Sequence, residues 1–461
     1  MTNPSLDAVL AHADAQMEGS LERLFALLRM PSISTDPAYA KDCRAAAEWL
    51  SAELTSLGFD ASVRATPGHP MVVAHEKAAA GPHVLFYGHY DVQPVDPLAL
   101  WDNPPFEPKL VDGPKGKRIV ARGASDDKGQ LMTFIEACRA WKAVAGALPV
   151  KVTVLLEGEE ESGSPSLPKF LDDTADELRA DVALVCDTDR WDEDTAAITT
   201  MLRGMCAEEI EITAANQDLH SGMFGNAARN PLQVLAEIVA SLRTPEGGVT
   251  LPGFYDGVAD VPADLRAQWD ALGFSASEFL GDVGLSVPAG EKGKSVLEQV
   301  WARPTCEING MTGGYTGDGF KTVIPSKASA KISFRLVAGQ DPEKIRAAFR
   351  AHVQARIPAD CSVTFKPHGG NPAIALPPDG PMLLKAARAL GDEWGRPAAI
   401  IGSGGSIPVV GEFKRRLKTD SLLIGFAQID DRIHSPNEKY DLKSYTKGIR
   451  SWVRVLAALA E

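Results

Sequence analysis

Three short apolar runs punctuate the first 200 residues: Val84 to Tyr87 in "HVLFYGHYD", Val152 to Leu156 in "KVTVLLEGEEESGS", and Val182 to Cys186 in "ADVALVCDTD". None alternates strictly with polar residues, which is the pattern of strands buried on both faces. The stretch between the first two runs, "DKGQLMTFIEACRAWKAVAG", has a different period. Its Leu131, Phe134, Ile135, Cys138 and Trp141 recur at helical spacing and would line one face. Strand, helix and strand in succession predict an α/β fold with a mostly parallel sheet covered on both sides.

From about residue 204 the texture changes. In "KASAKISFRLVAG", Ile332, Phe334 and Leu336 point one way and Lys331, Ser333 and Arg335 the other, as in a half-exposed antiparallel strand. A helix follows in "DPEKIRAAFRAHVQARIP", with Asp341 as N-cap, Pro342 in the first turn, and Ile345, Phe349 and Val353 on one face. Residues 204–378 are therefore expected to form a smaller α+β domain that interrupts a main domain built from 1–203 and 379–461. The Pro/Gly-rich stretch 368–381 reads as a linker and 243–262 as a long surface loop. Helical spacing returns in the closing segment, where Leu442, Tyr445, Ile449, Trp452 and Leu456 share a face.

Bulk properties narrow the function classes. A chain of 461 residues exceeds one compact core, in line with two domains. A net charge of −14 argues against a surface that tracks phosphates, so no nucleic-acid partner is expected. No apolar run approaches the roughly 20 residues of a membrane span, and no membrane partner is expected. The N-terminal stretch lacks a cationic start and an apolar core, and reads as a polar helix and not a signal peptide. Six scattered cysteines without a C-x-x-C pair suit a reducing cytoplasm.

Polar clusters recur where each buried run ends. The first run leads into His89 and Asp91, the next loop carries Asp126 and Asp127, the second run leads into Glu159, Glu160 and Glu161, and the third into Asp187 and Asp189. Ligands of open α/β sheets bind outside the carboxyl ends of the strands. Acids gathered there repel one another unless a cation neutralises them, so a metal site is the expectation. Residues 89 and 91 share one side of an extended chain, which lets a histidine ligand and the carboxylate that orients it leave the strand together. A second histidine, His434 in "DDRIHSPNEKYDL", lies far downstream. Imidazole and carboxylate donors together suit zinc, manganese or cobalt.

The ordered segments "GHYDVQP", "RGASDDKG", "EGEEESGS", "DLHSGMFG", "KTVIPSK", "GGSIPV" and "IHSPNEKYDL" resemble the motifs of carnosinase-like dipeptidases. These belong to the co-catalytic dizinc peptidases and amidohydrolases, with succinyl-diaminopimelate desuccinylase, acetylornithine deacetylase and aminoacylase as relatives. The resemblance spans residues 88 to 442. It implies two divalent metals per chain, zinc first, with His89 and Asp189 on one, Glu161 and His434 on the other, and Asp126 bridging. It further implies that Asp91 hydrogen-bonds the far nitrogen of His89, and that Glu160 is the general base for a metal-bridging water attacking the amide carbonyl. Glu159 and Asp187 are read as surface acids, and the Asp126–Asp127 peptide is expected to be cis. In the smaller domain, His220 is expected to reach across a homodimer, and Thr322 and Arg335 to hold the substrate carboxylate. Gly405 and Ser406 would close over the same end of the substrate.

One departure stands out. Animal members carry an Arg–Glu pair just before Gly-Gly-Ser-Ile-Pro, where this chain has Gly402 and Ser403. The missing glutamate leaves recognition of a free amino group open. Two enzyme readings follow: a cytoplasmic dipeptidase, or an N-acyl amino acid amidohydrolase on the same scaffold. A non-catalytic peptide binder is the third, and retention of Glu160 beside a full ligand set argues against it.

Overall fold

Every element that carries a predicted metal ligand falls within one of two compact units, 1–200 with 376–401 and 412–461; the other comprises 201–375 and 402–411. The computed structural model describes residues 5–76, 81–405 and 407–461.

The first unit is built on a twisted sheet in the order Asp60–Arg64, Met71–Glu76, Lys151–Glu157, His83–His89, Val182–Val185, Ser421–Leu423 and Ala197–Leu202. The central four run parallel, and antiparallel strands flank them on both sides. The apolar runs seen in the sequence supply this centre: Val84 to Tyr87 and Val152 to Leu156 are almost wholly buried. Burial on both faces is possible because helices cover the sheet. On one of them, Lys128–Ala145, Phe134 stacks on Phe86 of the central strand at 3.8 Å. Trp452 of the closing helix Leu442–Ala460 meets both rings edge-on, at 5.9 and 5.5 Å. Three elements far apart in sequence are thus pinned by one aromatic cluster.

The second unit holds an antiparallel sheet in the order Thr305–Gly313, Lys327–Leu336, Gly204–Thr213 and Ser362–Asn371. Alternation along Lys327–Leu336 is realised, with Ile332, Phe334 and Leu336 all buried. The helix Pro342–Gln354 lays Ile345, Phe349 and Val353 on that apolar face. Asp341 caps it, accepting the Glu343 and Lys344 amide N–H groups at 2.8 and 3.4 Å.

Two boundaries differ from the sequence reading. The units divide at 200/201 and 375/376, and residues 402–411 go with the second unit. Local patterning could not reveal the latter, because the tie is non-local: the Arg203 amide donates to the Gly405 carbonyl at 3.0 Å. The stretch expected as a linker from 368 is still strand up to Asn371, paired along Gly204–Thr213 with a register shift between His368 and Gly370. A Gly–Gly step tolerates such a bulge, so the Pro/Gly signal marked an irregularity within the ladder. All six cysteines are free thiols. Among the described residues, no helix is long and apolar enough to cross a membrane.

Candidate metal centre

Three parallel strands end at the same edge of the first sheet and deliver the site. His89 is the last residue of its strand. Glu160 and Glu161 sit in the single 3-10 turn Glu160–Ser162 just beyond Lys151–Glu157. Asp187 follows Val182–Val185 by two residues. Asp126 lies two residues before the helix Lys128–Ala145, and its peptide bond to Asp127, the helix N-cap, is cis. His434 comes from the irregular segment before the short strand Lys439–Asp441.

The backbone must come close for this to work. A Cβ on Gly88 would lie 2.9 Å from both Asp127 Oδ2 and Leu131 Cβ, so only glycine lets the His89 strand approach that helix. Gly158 is equally constrained, since a Cβ there would meet the Tyr90 hydroxyl at 2.2 Å.

Two donor clusters result. His89, Asp126 and Asp187 form one, Asp126, Glu161 and His434 the other, with the donor atoms of each within 4.8 Å of one another. Asp126 belongs to both. Its Oδ1 lies 3.0 Å from His89 Nε2 and its Oδ2 3.0 Å from His434 Nε2. Glu161 Oε2 is 3.3 Å from the same His434 nitrogen and accepts the Gln93 amide at 2.7 Å. Glu160 belongs to neither cluster.

This arrangement differs from the sequence reading at Asp189. The structure brings Asp187 to His89 and Asp126, while Asp189 is exposed and its backbone bridges to Ala427. Two residues separate the acids, and an irregular chain after a strand does not keep the period that would aim both the same way. Glu159 is likewise not a surface acid. It is 3 % exposed and accepts the His69 and Ser166 amides at 3.0 and 3.1 Å, holding the turn from behind.

Asp91 shows why it follows His89 so closely. Its carbonyl lies 3.1 Å and its Oδ1 3.4 Å from His89 Nδ1, leaving Nε2 to face Asp126. The same carboxylate accepts the Glu160 and Glu161 amides at 3.2 and 3.0 Å and the Ser34 hydroxyl at 2.6 Å. One buried acid therefore orients a histidine and fixes the turn that carries two glutamates.

The electrostatics of the cluster are those of a site built for cations. Burial pushes the Asp187 carboxyl well up, and neighbouring Asp126, Glu160 and Glu161 add to the rise against His89. Burial likewise raises Glu160 to about 7, opposed by His89 and reinforced by Glu161, Asp126 and Asp91. Hydrogen bonds to Asp126 and Glu161 push His434 up to about 10, against its burial. Two imidazoles and three carboxylates at these separations fit a pair of divalent cations sharing one carboxylate.

A residue the sequence did not flag holds the loop that presents Asp126. Glu438, 1 % exposed, accepts the Gly123, Ser125 and Asp126 amides at 2.9, 2.8 and 3.0 Å and the Arg122 guanidinium at 2.7 Å. The only available signal was an acid four residues after His434, which by itself reads as a solvated turn.

In the second unit, His220 ends the short strand Leu219–His220 and caps the turn Ser221–Phe224, its Nδ1 accepting the Gly222 amide at 3.0 Å. Thr322 is its neighbour, since the Thr322 carbonyl accepts the Ser221 amide at 3.1 Å. Arg335 lies apart from them in the register, opposite Met205 and Thr305. It lines a cavity of 340 Å³ with Arg203 and Glu307 among others. Gly405 meets that region through its carbonyl bond to the Arg203 amide at 3.0 Å, and Ser406 lies outside the described residues.

Comparison with known proteins agrees with this geometry. The family model described as Peptidase family M20/M25/M40 matches residues 85–458, and the chain belongs to that family. It is 30 % identical to the Cys-Gly metallodipeptidase dug1 of Schizosaccharomyces pombe, over 99 % of this chain and 98 % of that protein. The human Beta-Ala-His dipeptidase is 29 % identical, over 82 % of this chain and 75 % of that protein. Among solved structures, the di-peptidase Dug1p of Saccharomyces cerevisiae matches with a TM-score of 0.77 at 28 % identity, covering 100 % of this chain and 99 % of that one. The metallo-carboxypeptidase Sso-CP2 of Sulfolobus solfataricus matches with a TM-score of 0.80 at 29 % identity, covering 96 % and 99 %.

Proposed function

We propose that this chain is a metal-dependent dipeptidase that hydrolyses the peptide bond of dipeptides or short peptides. The observation that carries the reading is a pair of donor clusters sharing Asp126, with Glu160 beside them and committed to neither. Similarity over almost the whole length to proteins named as dipeptidases supports the substrate class.

In this reading His89 and Asp187 hold one divalent ion, Glu161 and His434 the other, and Asp126 both, with zinc the leading choice and manganese or cobalt compatible with the donors. When bound, the ions polarise the scissile carbonyl and acidify water. Glu160 holds the proton taken from the attacking water and delivers it to the leaving amine. Its raised proton affinity suits that exchange near neutrality. Asp91 keeps His89 in the tautomer that presents Nε2.

The second unit is assigned the substrate's carboxylate end. Arg335, which has no carboxylate partner among the described residues, is the bidentate reader, and Thr322, Gly405 and Ser406 are assigned to the same carboxylate end. His220, exposed and aimed away from any core, serves a neighbouring copy in a homodimer formed through this unit. The compartment is the cytoplasm. Metal analysis combined with turnover of free and N-acetylated dipeptides tests the proposal. About two metals per chain and preference for free dipeptides are expected; preference for the acetylated series would instead make the protein an amidohydrolase.

A further inference from the structure

We propose that Glu438 is a positioning residue for both metals, because its buried carboxylate fastens the loop that presents the bridging Asp126 to the segment that presents His434. The inference rests on the two-metal reading above. Its geometric basis is a chain folded around an anion. Residues 122 to 126 wrap the carboxylate so that Oε2 receives the Arg122 guanidinium and the Gly123 amide, at 2.7 and 2.9 Å. Oε1 receives the Ser125 and Asp126 amides, at 2.8 and 3.0 Å. Four donors saturate both oxygens at a site closed to water. Because the Asp126 amide is one of them, the backbone that aims the Asp126 side chain is set by Glu438.

The other end of the clamp is the His434 segment. Arg432, His434 and Asn437 all adopt left-handed backbone conformations, with φ of 57°, 61° and 62°. Non-glycine residues hold such geometry only where their surroundings over-determine it. The Ala121 amide donates to the Glu438 carbonyl at 3.2 Å and the Lys439 amide to the Asp431 carbonyl at 2.9 Å. Ser125 Oγ donates to Asp431 Oδ2 at 2.8 Å, a second link between the same two segments. Lys439 Nζ holds the other Asp431 oxygen at 2.6 Å. Asp126 and His434 are thus presented by two loops joined through Glu438 and Asp431. The reach between Asp126 Oδ2 and His434 Nε2 is a consequence of that joint.

Glu438→Gln keeps the shape but turns an NH2 toward backbone donors, forcing the Asp126 loop to move. Residues that orient metal ligands typically account for about 10–100-fold in metal affinity, and a loss of that size is expected here. It should appear in both metals together, since the displaced ligand is shared. The measurement is zinc release to a competing chelator from the full chain, with cobalt(II)-loaded absorption spectra and metal-free melting temperature recorded alongside. Glu438→Asp retains the charge but falls one methylene short, and should lie between parent and Gln. It also carries the test if the Gln variant does not fold. Zinc affinity within about twofold of the parent, with an unchanged cobalt spectrum, overturns the inference even if melting falls, because Glu438 would then be structural only. A parent chain that binds no zinc would instead sink the two-metal reading itself.

Discussion

The two units carry their proposed functional residues in opposite ways. In the first, buried protein contacts hold the ligand-bearing turns: Asp91 alone accepts two backbone amides and a hydroxyl while orienting His89. In the second, His220 and Thr322 are exposed on a short two-stranded ribbon, and Arg335 faces a cavity. A metal centre needs its ligands held before the ion arrives, since misplacement of a donor costs affinity directly. Residues that read a substrate gain their partners only when the substrate binds. The first unit is therefore over-determined by protein contacts, and the second is left with unspent donors.

That contrast can be broken most decisively at Asp126. Asp126→Ala should release both metals and abolish activity, measured as metal content per chain; retention of one full-strength metal would refute the bridge. Glu160→Gln comes next. General acid–base catalysis is worth about 10²–10⁴-fold, so kcat should fall by that factor while metal content stays at the parent level. Loss of metal in this variant but not in Glu161→Gln would reverse the roles assigned within the Glu triplet.

The pair Asp187→Asn and Asp189→Asn sharpens the metal side. The first should weaken one metal position and the second leave both intact, read by chelator titration; the opposite outcome would restore Asp189 as the ligand. Acidification should also release metal, because His434, pushed up to about 10 by Asp126 and Glu161, binds a proton in competition with the ion. Metal content that stays flat from neutral pH to mild acid would contradict that competition.

On the second unit, Glu160→Ala and His220→Ala chains are each expected to be inactive, yet active when mixed, as a hybrid dimer holds one site with both residues. No recovery despite demonstrated subunit exchange would remove His220 from the shared-site role. The smallest expected effect is at Glu159. Its Gln variant leaves the buried Ser166 amide or the half-buried His69 amide unpaired, for about 1–3 kcal/mol in thermal or denaturant unfolding and no change in metal content.

Much of this was open to reading along the chain. The unbroken apolar runs at 84–87, 152–156 and 182–186 identify buried strands because a strand covered on both faces has no polar side to show. Acids at each exit, joined at the first by a histidine, then mark one rim as the site of cation chemistry, since parallel strands end on the same edge. The family membership of residues 85–458 follows from ordered motifs that survive in the sequence itself. Tertiary structure alone decided the rest. Asp187 and Asp189 are indistinguishable in "CDTDRW", and only the path of the chain after the strand brings one carboxylate to His89 and leaves the other outside the donor cluster. Glu438 is separated from Asp126 by 312 positions, so no local pattern could pair them. Periodicity reports which face a side chain takes within its own element. Which distant backbone amides a buried carboxylate will saturate depends on how loops close in space, and that is settled only when the whole chain packs.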